Sequence, residues 1–223
     1  MADSGTLFVV ATPIGNLGDM TQRAVETLKD VDVIAAEDTR QTRKLTDRYK
    51  VRTSIVSYHA HSDRKRLTEL LLRLSNGESV AVVTDAGTPA VSDPGSHLVT
   101  AAREAGHPVV PIPGPSALVT ALSAAGLGAD QFTFLGFLPH KKGRQTKLES
   151  LPGLVQPVVM YESPHRLVKL LAELTTLHAE AQVCVARELT KHFEEFRLGK
   201  PKELYDWYAE HLPKGEVVVI VRI

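Results

Sequence analysis

Cysteine is almost missing from this chain: Cys184 is the only one in 223 residues. An internal disulfide is therefore excluded, and within the apolar run "AQVCVARE" the thiol reads as a buried, inert group rather than a nucleophile. Net charge is missing as well, with 26 basic and 26 acidic residues, so strong non-specific nucleic-acid binding is not written into the bulk composition. No apolar run approaches the ~20 residues that span a bilayer. The start, "MADSGTLFVV", lacks a basic flank and a cleavage site, so no signal peptide and no membrane contact are expected, and the cytoplasm is the expected compartment. The glycine fingerprints of nucleotide sites are lacking too. "IGNLGD" is not G-x-G-x-x-G, and G-x-x-x-x-G-K-[ST] occurs nowhere, which leaves a dinucleotide-dependent oxidoreductase or an NTPase weakly supported. There is no internal repeat and no low-complexity segment.

What is present is an alternation. Apolar runs at 6–12, 31–37, 53–59, 79–85 and 108–113 read as strands, and helix-like segments lie between them at 21–29, 40–49, 64–75 and 94–105. That spacing predicts a mainly parallel α/β sheet. A helix at 115–126 follows and ends at Gly126. Beyond it the pattern loosens into strands at 132–139, 156–163, 181–188 and 216–223, with a helix over "PHRLVKLLAELTTL" and an amphipathic "KELYDWYAEHL" whose Tyr205, Trp207 and Tyr208 suit core or dimer packing. The expectation is two α/β domains, 1–114 with a mainly parallel sheet and 115–223 with a mixed one, and a ligand cleft between them.

Charge is uneven locally. Ala36 to Arg66 carries nine basic residues against four acidic ones, and "HKKGRQTK" concentrates charge at 140–147. Gly136, Pro139 and Gly143 make the second run loop-like, so Lys141, Lys142 and Arg144 are candidates for contact with RNA phosphates, which position a partner rather than read its sequence. His59 and His61 form an H-x-H pair, but no third ligand clusters near them in sequence, and no metal is expected.

Parallel strands deliver their carboxyl ends to a common crevice. Here those ends carry "ATPIGNLGD", "EDTR", "TDAGTP", "PIPGPS", "YESPHR" and "ARELTK". Glycine and proline let a backbone approach a ligand closely and hold its shape, and the helix after "PGPS" offers free N–H groups with the Ser116 hydroxyl. Without a basic clamp, such loops suit an adenosine with a carboxylate tail and a sulfonium better than a polyphosphate. Asp85 ends its strand facing the crevice, whereas Asp93 serves the start of the next helix.

Together with "GFLPHKKGR" and "KGEVVVIV", these segments resemble, in order and over nearly the whole chain, the bacterial 16S rRNA cytidine-2′-O-methyltransferases of the tetrapyrrole methylase-like superfamily. The resemblance implies S-adenosyl-L-methionine as cofactor, a homodimer, and as substrate a ribose 2′-hydroxyl in the decoding region of 16S rRNA, in the small ribosomal subunit. Carried over by position, cofactor contacts fall on Pro13, Ile14, Gly15, Asp85, Ala86, Gly87, Thr88, Pro89, Val91, Ser116, Ala117, Glu162, Lys214 and Gly215. Superfamily relatives often hold Asp where Thr88 stands. Members of this branch usually continue past the last strand into a helical extension, whereas this sequence stops at Ile223.

The methyl group of a sulfonium is already activated, so catalysis is mostly alignment, helped by a base at the weakly acidic hydroxyl. Glu37, Asp38 and Glu188 are the candidate carboxylates, and Arg40, Arg187 and Lys191 are expected to hold RNA phosphate. Asp38 and its neighbours equally suit a plain helix N-terminus. A tetrapyrrole C-methyltransferase of the same superfamily is the rival, disfavoured by the basic runs and by the "EDTR", "YESPHR" and "ARELTK" set. A non-enzymatic ribosome-assembly module is disfavoured by the cofactor-type loops.

Overall fold

The computed structural model describes residues 4–59, 64–93 and 95–223. The chain divides into two compact units, Met1–Ser116 and Ala117–Ile223.

The first unit alternates β1 (Leu7–Val10), α1 (Gln22–Asp30), β2 (Val33–Ala36), α2 (Thr39–Tyr49), β3 (Ser54–Ser57), α3 (Arg64–Ser75), β4 (Val80–Val83), α4 (Ser96–Glu104) and β5 (Val109–Ile112). The strands pair in the order β3-β2-β4-β1-β5, every pairing parallel. The central strands β2 and β4 are buried at every position, as a sheet covered on both faces requires. Side chains alternate across it. Ile34, Ala36, Ala81 and Val83 pack with Ala24 and Leu28 of α1 and Leu45 of α2. Val33, Ala35, Val80 and Val82 pack with Leu70 and Leu74 of α3 and Leu98 and Ala102 of α4. This is a doubly wound sheet whose five carboxyl ends share one edge.

The second unit runs α5 (Ala117–Ala124), β6 (Thr133–Phe137), α6 (Arg144–Glu149), β7 (Val158–Glu162), α7 (Pro164–Leu177), β8 (Gln182–Arg187), β9 (Glu195–Gly199), α8 (Pro201–Glu210) and β10 (Val217–Arg222). Its order is β6-β7-β10-β8-β9, parallel between β6 and β7 and antiparallel elsewhere. One face, with Val158, Met160, Val183, Val185, Val219 and Val221, meets Leu148, Leu167, Leu170, Leu174, Leu204 and Tyr208. Register aligns Glu162 with Val217 and Val217 with Arg187, so one edge of this sheet carries Glu162, Arg187, Glu188 and the 214–216 turn.

The α/β expectation holds, with local corrections. Residues 144–147, expected to be loop-like, lie instead in α6, which follows Gly143 at φ 80°. Its inward Arg144 and Leu148 are spaced i,i+4, a signal too short to stand out among lysines. "FEEFRLGKP" supplies the edge strand β9. Of the aromatic trio, Tyr208 is core, while Trp207 is exposed and lies under Arg197, 3.8 Å from its ring centre. Pro94 and His61 lie outside the described residues, so the H-x-H pair is not placed. Among the described residues, no helix is long and apolar enough to cross a membrane.

Cys184 is 1% exposed, and burial pushes its thiol up to about 11 from an ordinary 9.0. An aromatic disulfide reagent should therefore leave native protein unmodified at neutral pH and titrate one thiol after denaturation. The unfolded thiol ionises near 9 and the folded one not until about 11, so its contribution to stability is full below pH 9 and declines as pH rises through that window. A urea midpoint that falls equally steeply there in Cys184→Ala would contradict this.

Candidate functional site

The strand-end edge of the first unit is cross-tied. Thr12, after β1, exchanges two backbone hydrogen bonds with Gly87, after β4, at 2.9 and 3.0 Å. The Thr12 hydroxyl donates to the Thr84 carbonyl at 3.0 Å. Thr84 in turn donates its hydroxyl to Glu37 Oε2 at 2.5 Å, and the Asp85 amide donates to the same oxygen at 3.3 Å. The Asp38 amide returns a bond to Asp85 Oδ1 at 3.1 Å. Three carboxylates, Glu37, Asp38 and Asp85, thus meet where β2 and β4 end.

Their chemistry differs. Asp38 caps α2, accepting from the Arg40 amide at 2.8 Å and pairing with its guanidinium at 2.7 Å. That hydrogen-bonded cation holds the carboxyl down at about 2. Asp85 shifts the other way. Although its side chain is largely exposed, partial desolvation and then the negative charge of Glu37 raise it, and raised is the direction a crowd of carboxylates dictates.

The loop after β4 is tightly wound. Gly87 stands at φ +83°, and a Cβ there would lie 3.4 Å from Ile14 Cγ2. Ala90 and Ser92 adopt φ 70° and 63°, a conformation that side-chain-bearing residues seldom take. A Cβ on Gly114 would press to 2.9 Å from that of Ala11. Thr88 donates its hydroxyl to the Pro115 carbonyl at 3.3 Å, so it fixes the loop rather than offering a free group. Pro13, Ile14 and Pro89 are buried, Ala86, Ser116 and Ala117 half-buried, and Gly15 and Val91 exposed.

The second unit's edge holds two ion networks. Glu162, expected among the cofactor contacts, has a wholly inaccessible side chain bracketed by Arg144 Nη1 at 3.1 Å and Arg166 Nη2 at 2.5 Å. Both oxygens are engaged within the protein, so the side chain shapes the loops around it. Arg144, expected to hold RNA phosphate, is only 4% exposed and also pairs with Glu173 at 2.9 Å. The guanidinium is enclosed and paired on both sides. Lys141 and Lys142 are exposed.

In the other network Glu188, itself at φ 52°, accepts from Lys191 Nζ at 2.8 Å and from the Glu216 amide at 3.1 Å. Partial burial alone would raise its pKa, but Lys191 and that amide outweigh it and hold it below the usual value. Lys191 also pairs with Glu216 at 2.7 Å. Arg187 pairs with Glu195 at 3.1 Å and donates to the Lys214 carbonyl at 3.3 Å. The structure therefore gathers Glu37, Asp38, Arg40 and Asp85 on one edge, and Glu188, Arg187, Lys191, Lys214 and Gly215 on another. Thr12, Thr84, Arg166 and Glu173 escaped notice in the sequence. Only Arg166, four residues beyond Glu162 at the start of a helix, carried a readable spacing.

The profile of the Tetrapyrrole (Corrin/Porphyrin) Methylases matches residues 6–205. The chain belongs to the tetrapyrrole methylase family. Within it, the chain is 49% identical to the "Ribosomal RNA small subunit methyltransferase I" of Synechocystis sp., over 97% of this chain and 78% of that one. Proteins of the same name from Mesorhizobium japonicum and Bacillus subtilis are 50% and 43% identical, over 96% and 99% of this chain and 74% and 76% of theirs. Solved structures of this fold match nearly the whole chain. A uroporphyrin-III C-methyltransferase from Thermus thermophilus gives a TM-score of 0.64 at 22% identity, covering 97% of this chain and 94% of that one. A diphthine synthase gives 0.73 at 15% identity, covering 97% and 89%.

Gly215 tests the Glu188 network. It sits at φ +83°, and a Cβ there would fall 2.0 Å from Glu188 Oε1, whereas Gly106, at φ +82°, has nothing within 4 Å. Gly106→Ala should cost about 1 kcal/mol of conformational strain, and Gly215→Ala about 1–3 kcal/mol more, by displacing a paired carboxylate. Equal losses in chemical denaturation would mean that Glu188 moves aside freely.

Proposed function

We propose that this chain is an S-adenosyl-L-methionine-dependent methyltransferase that 2′-O-methylates the ribose of a cytidine in the decoding region of 16S rRNA. The observation that carries this is the run of relatives named for ribosomal RNA small subunit methylation at 43–50% identity along nearly all of the chain. The tetrapyrrole C-methyltransferase alternative rests on fold likeness at 22% identity, which is evidence of architecture alone.

The first unit's loops fit the cofactor. The segments Pro13–Gly15, Asp85–Val91 and Pro113–Ala117 contain no basic residue, which suits an uncharged nucleoside and a cation rather than a polyphosphate. Gly87 turns the loop at φ +83°, and Gly114 leaves backbone where a Cβ would crowd Ala11. Pro13, Ile14, Gly15, Ala86, Gly87, Thr88, Pro89, Val91, Ser116 and Ala117 form the holding set. The cofactor supplies an activated methyl group; what remains for the chain is to bind, orient and accept a proton.

For that proton the carboxylates are unequal. Asp38 at about 2 is a feeble acceptor, Glu188 is ion-paired, and Glu37 is committed to Thr84 and the Asp85 amide. Asp85, exposed and raised, is the best-tuned base on its edge. Arg40, 87% exposed along its side chain, with Lys141 and Lys142, supplies charge for RNA phosphates, and Arg187 and Lys191 contribute less because each is already paired. The working unit is a homodimer acting on small ribosomal subunits in the cytoplasm.

The deciding experiment is methyl transfer to small subunits lacking the modification, with the product mapped. Transfer to a cytidine 2′-hydroxyl in the decoding region is expected; methylation of uroporphyrinogen instead would replace this reading with its rival. At saturating cofactor, Asp85→Asn should lower the single-turnover rate by about 10²-fold or more, and Asp38→Asn by less than about 10-fold. Equal, small effects would leave alignment as the whole of catalysis.

A further inference from the structure

One carboxylate holds both ends of the second basic segment. Glu162 Oε1 accepts from Arg166 Nη2 at 2.5 Å and from the Ser163 amide at 2.8 Å, and Oε2 accepts from Arg144 Nη1 at 3.1 Å. The two arginines then reach opposite ends of residues 138–144. Arg166 Nη1 donates to the Leu138 carbonyl at 3.3 Å. Arg144 opens α6, and its amide donates to the Lys141 carbonyl at 3.2 Å. Glu173 of α7 accepts from Arg144 Nε at 2.9 Å, completing that anchor. Arg144 Nη2 and Arg166 Nε are buried without a partner, so the loss of Glu162 would leave Arg144 with Glu173 alone and Arg166 with the Leu138 carbonyl alone, each guanidinium then held from one side only.

Between the anchors lie Pro139, His140, Lys141, Lys142 and Gly143. His140 and both lysines are exposed, and Gly143 turns at φ +80° with nothing within 4 Å of a Cβ. The segment is thus held at its two ends, and Glu162 is the group that joins the two arginines holding them.

We propose that Glu162 is a positioning residue for RNA binding: through Arg144 and Arg166 it pre-orders the 139–143 loop so that Lys141 and Lys142 meet phosphates without first being ordered. This rests on the ribosomal RNA reading. A loop already in its bound shape gives up less freedom on binding, and phosphate contacts fix the register of the partner. Glu162 itself touches neither RNA nor cofactor.

The test uses the full chain with Glu162→Gln and Arg166→Lys, each also made in a Lys141→Ala/Lys142→Ala background. Arg166→Lys keeps a cation beside Glu162 while removing the fork that reaches Leu138, and it decides the matter if Glu162→Gln fails to fold. Three readouts apply: KM and kcat on undermethylated small subunits, calorimetric affinity for S-adenosylmethionine, and trypsin cleavage after Lys141 or Lys142 without RNA. Expected are an RNA KM raised about five- to tenfold, kcat and cofactor affinity within about twofold, and faster cleavage. In the background lacking both lysines, the KM effect should vanish. That background should also flatten the salt dependence of rRNA binding by about 1.4 in log–log slope, as expected for two lost single-strand phosphate contacts.

An unchanged RNA KM, a matching loss of cofactor affinity, or a KM effect that persists without the lysines would each overturn the proposal. Should the parent chain methylate no rRNA, the functional reading falls. Trypsin cleavage still decides the clamp in that case, since unchanged cleavage refutes it.

Discussion

A carboxylate at the end of a buried strand has few stable options, and three glutamates in this fold meet that constraint in the same way. Glu37 follows β2, Glu162 ends β7 and Glu188 follows β8. Each is placed by the sheet where hydrophobic cover gives way to loop, and an unpaired charge there is costly. Glu37 takes a hydroxyl and an amide from the loop after β4. Glu162 takes two guanidiniums. Glu188 takes an ammonium and the amide of Glu216. In every case at least one partner comes from a distant segment, the loop after β4, α6 or the turn before β10, so satisfying the charge also ties two segments together. The edges on which the chemistry is proposed are built on these ties.

The consequence is a division of labour. Residues with inward-turned charge shape the loops, and residues beside them face solvent. Asp85 is exposed because Glu37 anchors its backbone. Lys141 and Lys142 are exposed while Arg144, two residues on, is enclosed. Arg40 is exposed although Asp38 holds it, since a surface pair of this kind contributes little to stability and leaves the guanidinium open to other acceptors. A phosphate competing for Arg40 loses little by displacing Asp38. One competing for Arg144 would have to open a buried network, where breaking a pair typically costs about 3–5 kcal/mol.

Most of the architecture was legible in the sequence because it rests on periodicity. The five parallel strands are continuous apolar runs, and α7 spans the expected 164–177 without a residue's error because Pro164 opens it and four inward leucines fix its face. The six-residue α6 was not legible, since Arg144 does the inward packing that an apolar residue would have announced. The edge strand β9 was likewise hidden by its charged pattern, "EFRLG".

The candidate site was legible as a set of loops and much less so as a set of roles. Sequence ranks Glu, Asp and Arg at strand ends as chemical candidates because it carries no information on which side chains face each other across loops 47 positions apart, as Glu37 and Thr84 do. Burial then inverts the ranking. Glu162, which the resemblance places among the cofactor contacts, is the least accessible of the three glutamates, while the surroundings of Asp85, in the same set, raise its pKa. Where charge is dense at strand ends, the residues free to act are those left over after the loops have been tied.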